Sequence, residues 1–110
     1  MYGFQEITAD QLKDLRDQQG EFILVDVRSP AEVARGVIQG ARHIPLHILP
    51  MSLQQLDKSK TVVFYCLSGG RSAQAAAFAA AQGFDQVLNL RGGISAWVNR
   101  GLPIGQLPGQ

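Results

Sequence analysis

The sequence predicts an α/β domain with a central, mostly parallel five-stranded sheet flanked by helices. Its 110 residues, 45% hydrophobic and 17% charged, are typical of one compact domain. Short apolar runs rich in branched residues alternate with helical segments, which is the pattern of parallel strands joined by crossover helices. The chain has no internal repeat, linker-like stretch or change of composition. We therefore predict one domain over residues 1–110, with an irregular tail at 104–110.

Apolar periodicity, capping residues and glycines divide the chain into its elements. In chain order we predict a strand at 4–7, a helix from Thr8 to Gly20, a strand at 21–27, a helix from Ser29 to about 35, a strand at 41–44, irregular helical turns at 45–56, a strand at Thr61–Tyr65, a helix at 71–82, a strand at Gln86–Leu90 and a helix at 94–100.

The elements of the first half have recognisable ends. Thr8 is a typical N-cap, and Ser29 with Pro30 forms the cap and first turn of the second helix. Glu32 completes a capping box with Ser29, and Gly36 ends that helix. The run EFILVDV between the two helices is almost continuously apolar, as in a strand buried on both faces of a parallel sheet.

The second half contains the strongest strand, TVVFY, which leads through the loop CLSGG into an alanine-rich helix. Small residues allow such a helix to pack closely on a sheet. Gly83 closes this helix, and Gly92 with Gly93 opens the last one, which carries Trp97 into the core. Proline residues bound the irregular segment at 45–56.

The charge and the N-terminus exclude several classes of partner. A net charge of +1 and a pI of about 7.9 provide no strong field to attract nucleic acid or an anionic membrane. No window approaches the length of apolar sequence that a membrane span needs, and MYGFQEITADQLKDL lacks the features of a secretory signal. If the chain is complete, we expect it to be cytoplasmic.

The single cysteine, Cys66, is the candidate nucleophile. It cannot form an intramolecular disulfide, and without further thiols or a histidine cluster it is a poor metal ligand, so we predict no metal and no cofactor. Isolated cysteines are often simply small buried residues. Cys66, however, ends a strand and begins a glycine-rich turn before a helix, which favours a reactive thiol.

The loop after Cys66 has the features that stabilise a sulfur anion. Its amides can curl around the sulfur, its glycines permit unusual backbone angles, and the next helix directs its positive end at the loop. A ring of N–H groups would also hold a persulfide or a substrate oxyanion. The predicted substrate-binding residues are Leu67, Ser68, Gly69, Gly70, Arg71 and Ser72. Both serines could donate to a substrate oxyanion; Ser68 is the stronger candidate, because Ser72, in the first helical turn, can instead satisfy backbone groups.

Two long segments carry a family resemblance. DVRSPAEVARGVIQGARHIPL and YCLSGGRSAQAAAFAAAQGFDQVLNLRGGISAW resemble the rhodanese homology domain, and the similarity runs from about residue 4 to residue 103. The resemblance implies a doubly wound α/β fold and a ping-pong sulfurtransferase. In that cycle Cys66 takes a sulfane sulfur from a donor such as thiosulfate, forms a persulfide, and passes the sulfur to cyanide, a thiol or a protein cysteine.

The resemblance also separates three candidate functions. Sulfurtransferases on this fold resemble each other in a six-residue loop, as at 66–71 here, whereas the related phosphatases have a longer one. The chain also lacks an obvious acid to protonate a leaving alcohol, which disfavours a phosphatase or arsenate-reductase-like enzyme. A docking module without activity is the other alternative, although it would have no need of the nucleophile and Arg71.

Several further residues have two interpretations. Asp26 and Arg28 are similar to the family's strand-end pair, and we expect them to support the loop by hydrogen bonds; the alternative is a helix cap and surface ion pair. Val37 and Arg91 depart from the histidine and the acid that many members have at these positions. Nothing in the sequence connects His43 or His47 to Cys66, so we expect both histidines to lie at the surface or to pack in loops.

Overall fold

The computed structural model describes residues 3–108. The strands are β1 Gln5–Ile7, β2 Phe22–Asp26, β3 Val37–Ile38, β4 Arg42–His43, β5 Thr61–Tyr65, β6 Gln86–Leu90 and β7 Ile104–Gly105. The α-helices are α1 Ala9–Asp17, α2 Pro30–Val33, α3 Leu49–Ser52, α4 Gly70–Ala81 and α5 Gly93–Asn99. Single 3-10 turns at Leu46–Ile48 and Leu53–Gln55 flank α3.

Five strands form one parallel sheet in the order β1-β6-β5-β2-β4, which confirms the predicted fold class. The central strand β5 pairs with β2 along its whole length, so that Tyr65 lies opposite Asp26. Because all five strands run in the same direction, their carboxyl ends meet at one edge. That edge is where the loop from Cys66 begins.

The two faces of the sheet have separate hydrophobic cores. Side chains of β5 alternate between them, with Val62 and Phe64 on one face and Val63 and Tyr65 on the other. The first face is covered by α3 and by the buried alanines of α4, and the second by α1 and α5. The second core includes Trp97, which is 1% exposed and was expected in the core.

Capping residues act as the sequence indicated. Thr8 and Ser29 each form a complete capping box, with Gln11 and with Glu32. The first helix, however, ends at Asp17, before Gly20, and the left-handed residue beyond it is Gln19, with φ of 58°. Glycine was therefore the wrong marker for this helix end.

The C-terminal tail was predicted as irregular, and that prediction is wrong at its start. Ile104 and Gly105 form β7, an antiparallel pair with Val37 and Ile38 of β3. The Ile104 side chain packs against Gly36, at the point where the chain leaves α2. Residues 109–110 of the tail lie outside the described residues, as do 1–2 at the N-terminus.

No helix among residues 3–108 has both the length and the apolar character needed to cross a bilayer. The longest helix is α4, with 12 residues, whereas a membrane-spanning helix needs about 20.

Tyr65 connects the sheet to the segment that leads into β3. Its ring is fully buried, and its hydroxyl accepts a hydrogen bond of 3.0 Å from the backbone N–H of Ile38. Burial raises the pKa of Tyr65, and so does the charge of the nearby Asp26 carboxylate. The phenol thus provides the acceptor for a buried amide.

We expect Tyr65→Phe to lower the free energy of unfolding by about 2 kcal/mol, because it leaves the buried Ile38 amide without an acceptor. Urea denaturation at neutral pH measures this change. Unaltered stability would contradict the assigned role of the phenol.

Candidate active site

Cys66 lies directly beyond the central strand of the sheet. It is buried, and the chain turns after it through a left-handed Gly69, with φ of 118°, into the first turn of α4. A side chain is strained in that backbone conformation, so glycine favours the tight turn. The turn directs the N-terminal end of a 12-residue helix at the sulfur.

Hydrogen-bond donors surround the sulfur of Cys66. The backbone N–H of Gly69 donates to Sγ at 3.1 Å, and the Ser72 hydroxyl donates at 3.4 Å. Burial alone would raise the pKa of the Cys66 thiol. The Ser72 hydroxyl and the backbone amides of Ser72, Gly69 and Ser68 outweigh burial, so the pKa lies below its ordinary value. Donors that stabilise the thiolate make this cysteine a nucleophile.

Ser72 contributes more than the sequence indicated. It is fully buried, and its hydroxyl contacts both Cys66 Sγ and the Gly69 carbonyl, the latter at 3.2 Å. Ser68, which was preferred as the substrate ligand, has an exposed side chain. Its backbone N–H supports the thiolate of Cys66.

The loop is anchored by the last helix. The backbone N–H of Ile94 donates to the Cys66 carbonyl at 2.9 Å, and that of Ser95 donates to the Leu67 carbonyl at 3.1 Å. Residue 93 lies in the left-handed region, with φ of 59°, and a β-carbon there would overlap both carbonyl oxygens. Gly93 therefore allows α5 to approach closely enough to hold the loop.

Asn89 supports the loop from β6. Its Nδ2 donates to the Gly69 carbonyl at 3.4 Å and to the Glu6 carboxylate at 2.7 Å. Its buried Oδ1 has no hydrogen-bond partner among the described residues. Asn89 was not among the predicted site residues, because nothing local distinguishes it from other residues of a buried strand.

Arg71 lies at the end of the loop, and its charge is paired. Its two terminal nitrogens donate to the two carboxylate oxygens of Glu32 at 2.7 and 2.8 Å. The hydrogen bond from Arg71 is the main reason that the pKa of Glu32 falls to about 2. The pKa of Arg71 is raised chiefly by the same hydrogen bond and also by the nearby Cys66. The sequence indicated only the capping role of Glu32.

Asp26 and Arg28 form a buried pair, 0% and 4% exposed, so they are not the surface ion pair considered as an alternative. Arg28 donates to both Asp26 oxygens at 2.7–3.1 Å and to the Gly36 carbonyl at 2.7 Å. Within residues 3–108, the hydrogen bonds of this pair do not reach the Cys66 loop. The pair instead joins the end of β2 to the start of β3.

Two clefts flank the loop. The first, of about 410 Å³, is lined by exposed Leu67 and by Arg35, Val98 and Ile104, among others. The second, of about 610 Å³, is lined by Ser68, Gly69, Asn89, Arg91 and neighbouring residues. Arg91, whose orientation the sequence left open, thus faces the second cleft and lies 3.8 Å from Glu6.

The remaining candidates lie elsewhere. His43 Nε2 is 2.7 Å from the Arg28 carbonyl and His47 is exposed, so both histidines have packing or surface positions. The Trp97 indole N–H donates to the Pro103 carbonyl at 2.8 Å. Among the described residues there is no cluster of His, Cys, Asp and Glu that could hold a metal ion.

The sequence of this chain is similar to those of proteins from a known family. A family model described as a rhodanese-like domain matches residues 8–100. A sulfurtransferase from Allochromatium vinosum is 46% identical over 99 residues, covering 90% of this chain and 92% of that protein. The thiosulfate sulfurtransferase GlpE of Ectopseudomonas mendocina is 35% identical over 97 residues, covering 88% of this chain and 87% of that protein.

Solved structures agree with these sequence matches. The crystal structure of a rhodanese-related protein from Thermoplasma volcanium has a TM-score of 0.86 at 28% identity, and the match covers 94% of this chain and all of that one. A structure from Rhodopseudomonas palustris, described as a possible tyrosine phosphatase, has a TM-score of 0.83 at 31% identity, with 93% of this chain and 85% of that one covered. The predicted fold and family resemblance are confirmed.

We expect Gly93→Ala to displace the loop as well as to strain the backbone. Gly83→Ala is the matched control, because Gly83 is also left-handed, with φ of 95°, but has open space around its β-carbon. Backbone strain should destabilise each variant by about 1–2 kcal/mol in urea denaturation. Only Gly93→Ala should also slow alkylation of Cys66, and equal alkylation rates in both variants would refute the anchoring role.

We expect Ser72→Ala to raise the pKa of Cys66, because the thiolate loses a buried hydroxyl donor. Less thiolate is then present near neutral pH, so the iodoacetamide rate should fall several-fold there and recover at high pH. Ser59→Ala, which removes a hydroxyl bound to Asp57, serves as control. An unchanged pH profile of alkylation in Ser72→Ala would show that the hydroxyl does not stabilise the thiolate.

Proposed function

The chain belongs to the rhodanese-like family and is a sulfurtransferase, and from that premise we propose that Cys66 carries the sulfur as a persulfide. The observation that supports this most strongly is the ring of donors around the only thiol of the chain. Backbone amides that stabilise the thiolate can stabilise the terminal sulfur of a persulfide in the same way. The chemistry requires neither a metal nor a cofactor.

In the first half-reaction the Cys66 thiolate attacks the outer sulfur of a sulfane donor. With thiosulfate, a new sulfur–sulfur bond forms at Cys66 while the donor's own sulfur–sulfur bond breaks. Sulfite leaves with the electron pair of the broken bond, and the persulfide retains the negative charge. The donors from Ser68, Gly69 and Ser72 face this charge, and anchoring by α5 avoids rearrangement of the loop during the reaction.

In the second half-reaction a thiophile attacks the outer sulfur of the persulfide. The bond to Cys66 breaks, and its electron pair returns to Cys66 as the thiolate. Cyanide leaves as thiocyanate, and an attacking thiolate leaves as a new persulfide. The same donors therefore stabilise the charge on Cys66 before and after each transfer.

The substrates are a sulfur donor and a sulfur acceptor, and we propose that a protein cysteine is among the acceptors. Three of the large exposed apolar side chains, Leu67, Val98 and Ile104, line the cleft beside the loop. A small polar acceptor does not need an apolar rim, whereas a protein surface can pack against one. We propose no nucleic-acid or membrane partner, in keeping with the near-neutral charge.

We further propose that residues 1–110 act as one domain in the cytoplasm, where a reducing environment keeps the single thiol free. Among the alternatives, a docking module has no use for a thiol held among donors. A phosphatase would use Arg71 to bind phosphate, but Glu32 pairs with both of its terminal nitrogens.

We expect the purified chain to gain one sulfur on Cys66 when it is mixed with thiosulfate. Intact-mass analysis detects the adduct, and cyanide should discharge it as thiocyanate. Cys66→Ser is the control and should gain no sulfur. A folded, reduced chain that takes up no sulfur from thiosulfate or from glutathione persulfide would exclude the persulfide mechanism and favour the docking module.

A further inference from the structure

Three of the four arginines near the loop have carboxylate partners within residues 3–108. Arg28 is paired with Asp26, Arg71 with Glu32, and Arg91 with Glu6. Arg35, which lines the first cleft, is the cation there that has no ion pair within residues 3–108. The rim of the site therefore presents less positive charge than its arginines alone would give.

The Glu32–Arg71 pair is the one that includes a residue of the Cys66 loop. Arg71 ends the six-residue loop that begins at Cys66, and both carboxylate oxygens of Glu32 hold its guanidinium. The nearby Cys66 also helps to raise the pKa of Arg71. The side chains of Arg71 and Glu32 are 39% and 25% exposed, which leaves the pair accessible at the mouth of the site. A donor that approaches Cys66 meets both charges.

The pairing changes the electrostatic attraction between the site and donors of different charge. A thiolate at Cys66 repels an anionic donor, and an unpaired guanidinium beside it would offset that repulsion. Because Glu32 cancels much of the Arg71 charge, the attraction of the rim for an anion is reduced. The effect grows in proportion to the charge of the donor, so a dianion is disfavoured more than a monoanion.

If Cys66 carries sulfur as proposed above, the Glu32–Arg71 pair also affects the choice of donor. We propose that Glu32 determines donor specificity: by neutralising Arg71 it disfavours dianionic donors such as thiosulfate and favours sulfane donors of lower charge, such as organic persulfides. Glu32 acts through Arg71 and does not itself touch the transferred sulfur.

A pair of donors with similar chemistry and different charge isolates this effect. Thiosulfate transfers its outer sulfur and releases sulfite, and both species are dianions. Methanethiosulfonate, a monoanion, transfers its outer sulfur and releases methanesulfinate, also a monoanion. In both reactions the bond to Cys66 forms as the donor's sulfur–sulfur bond breaks, and charge is conserved.

The test compares kcat/KM for the two donors in the wild-type chain and in Glu32→Gln. Glutamine keeps the capping of α2, because its side-chain oxygen can accept from Ser29 as the carboxylate does. We expect kcat/KM to rise about tenfold for thiosulfate and about threefold for methanethiosulfonate. The increase for thiosulfate should weaken as salt is added, because screening reduces the attraction of the unpaired Arg71.

Two further variants separate charge from structure. Asp10→Asn removes one carboxylate from an equivalent arginine pair, that with Arg100, which does not involve the loop. Asp10→Asn should leave the donor ratio, which is kcat/KM for thiosulfate divided by kcat/KM for methanethiosulfonate, at the wild-type value. Glu32→Asp keeps the charge, so it should change this ratio less than Glu32→Gln does. Glu32→Asp also provides the test if Glu32→Gln does not fold, since a threefold shift in its ratio would contradict the proposal.

The outcomes are distinguishable. A wild-type chain that takes up sulfur from neither of these donors nor from glutathione persulfide overturns the proposed function and this inference with it. Sulfur transfer with an unchanged donor ratio in Glu32→Gln overturns the inference alone. A fall in kcat/KM for thiosulfate in that variant would show that Glu32 serves to hold Arg71 in place for an anionic donor, which is the opposite of the proposed role.

Discussion

The active site depends on the attachment of the Cys66 loop to the first turn of α5. Two amides of that helix bind the carbonyls of Cys66 and Leu67, which leaves the N–H groups of the loop free to face the sulfur. The contact is close because residue 93 is glycine. A negative sulfur therefore meets donors already in position, and little free energy is spent on reorganising them during sulfur transfer.

Much of the fold could be predicted because its signals are local. The strands Thr61–Tyr65 and Gln86–Leu90 have the predicted bounds, since each is an apolar run between clear breaks. The β3–β7 pair was missed, because each strand has two residues and the pairing joins segments distant in sequence. The end of α1 was misplaced because Gln19, rather than a glycine, adopts the left-handed conformation.

The part of the site that is contiguous in sequence could be predicted. Cys66 and the loop to Ser72 follow a strand and precede a helix, and chemistry alone made them candidates. Their partners come from other elements: Glu32 lies 39 positions from Arg71, and Asn89 lies 20 positions from Gly69. Sequence pattern carries no signal for such pairings. The Glu32 pairing offsets the positive charge of Arg71, and the Asn89 pairing supports the loop backbone.

Hydrogen-bond donors of the protein stabilise a sulfur anion at Cys66. The most direct test is to titrate the ultraviolet absorbance of its thiolate in the wild-type chain, with Cys66→Ser subtracted as the baseline. Because the chain has one cysteine, the signal has a single source. We expect a pKa below that of an unperturbed cysteine thiol. A pKa at or above the unperturbed value would mean that burial dominates, and would contradict the claim.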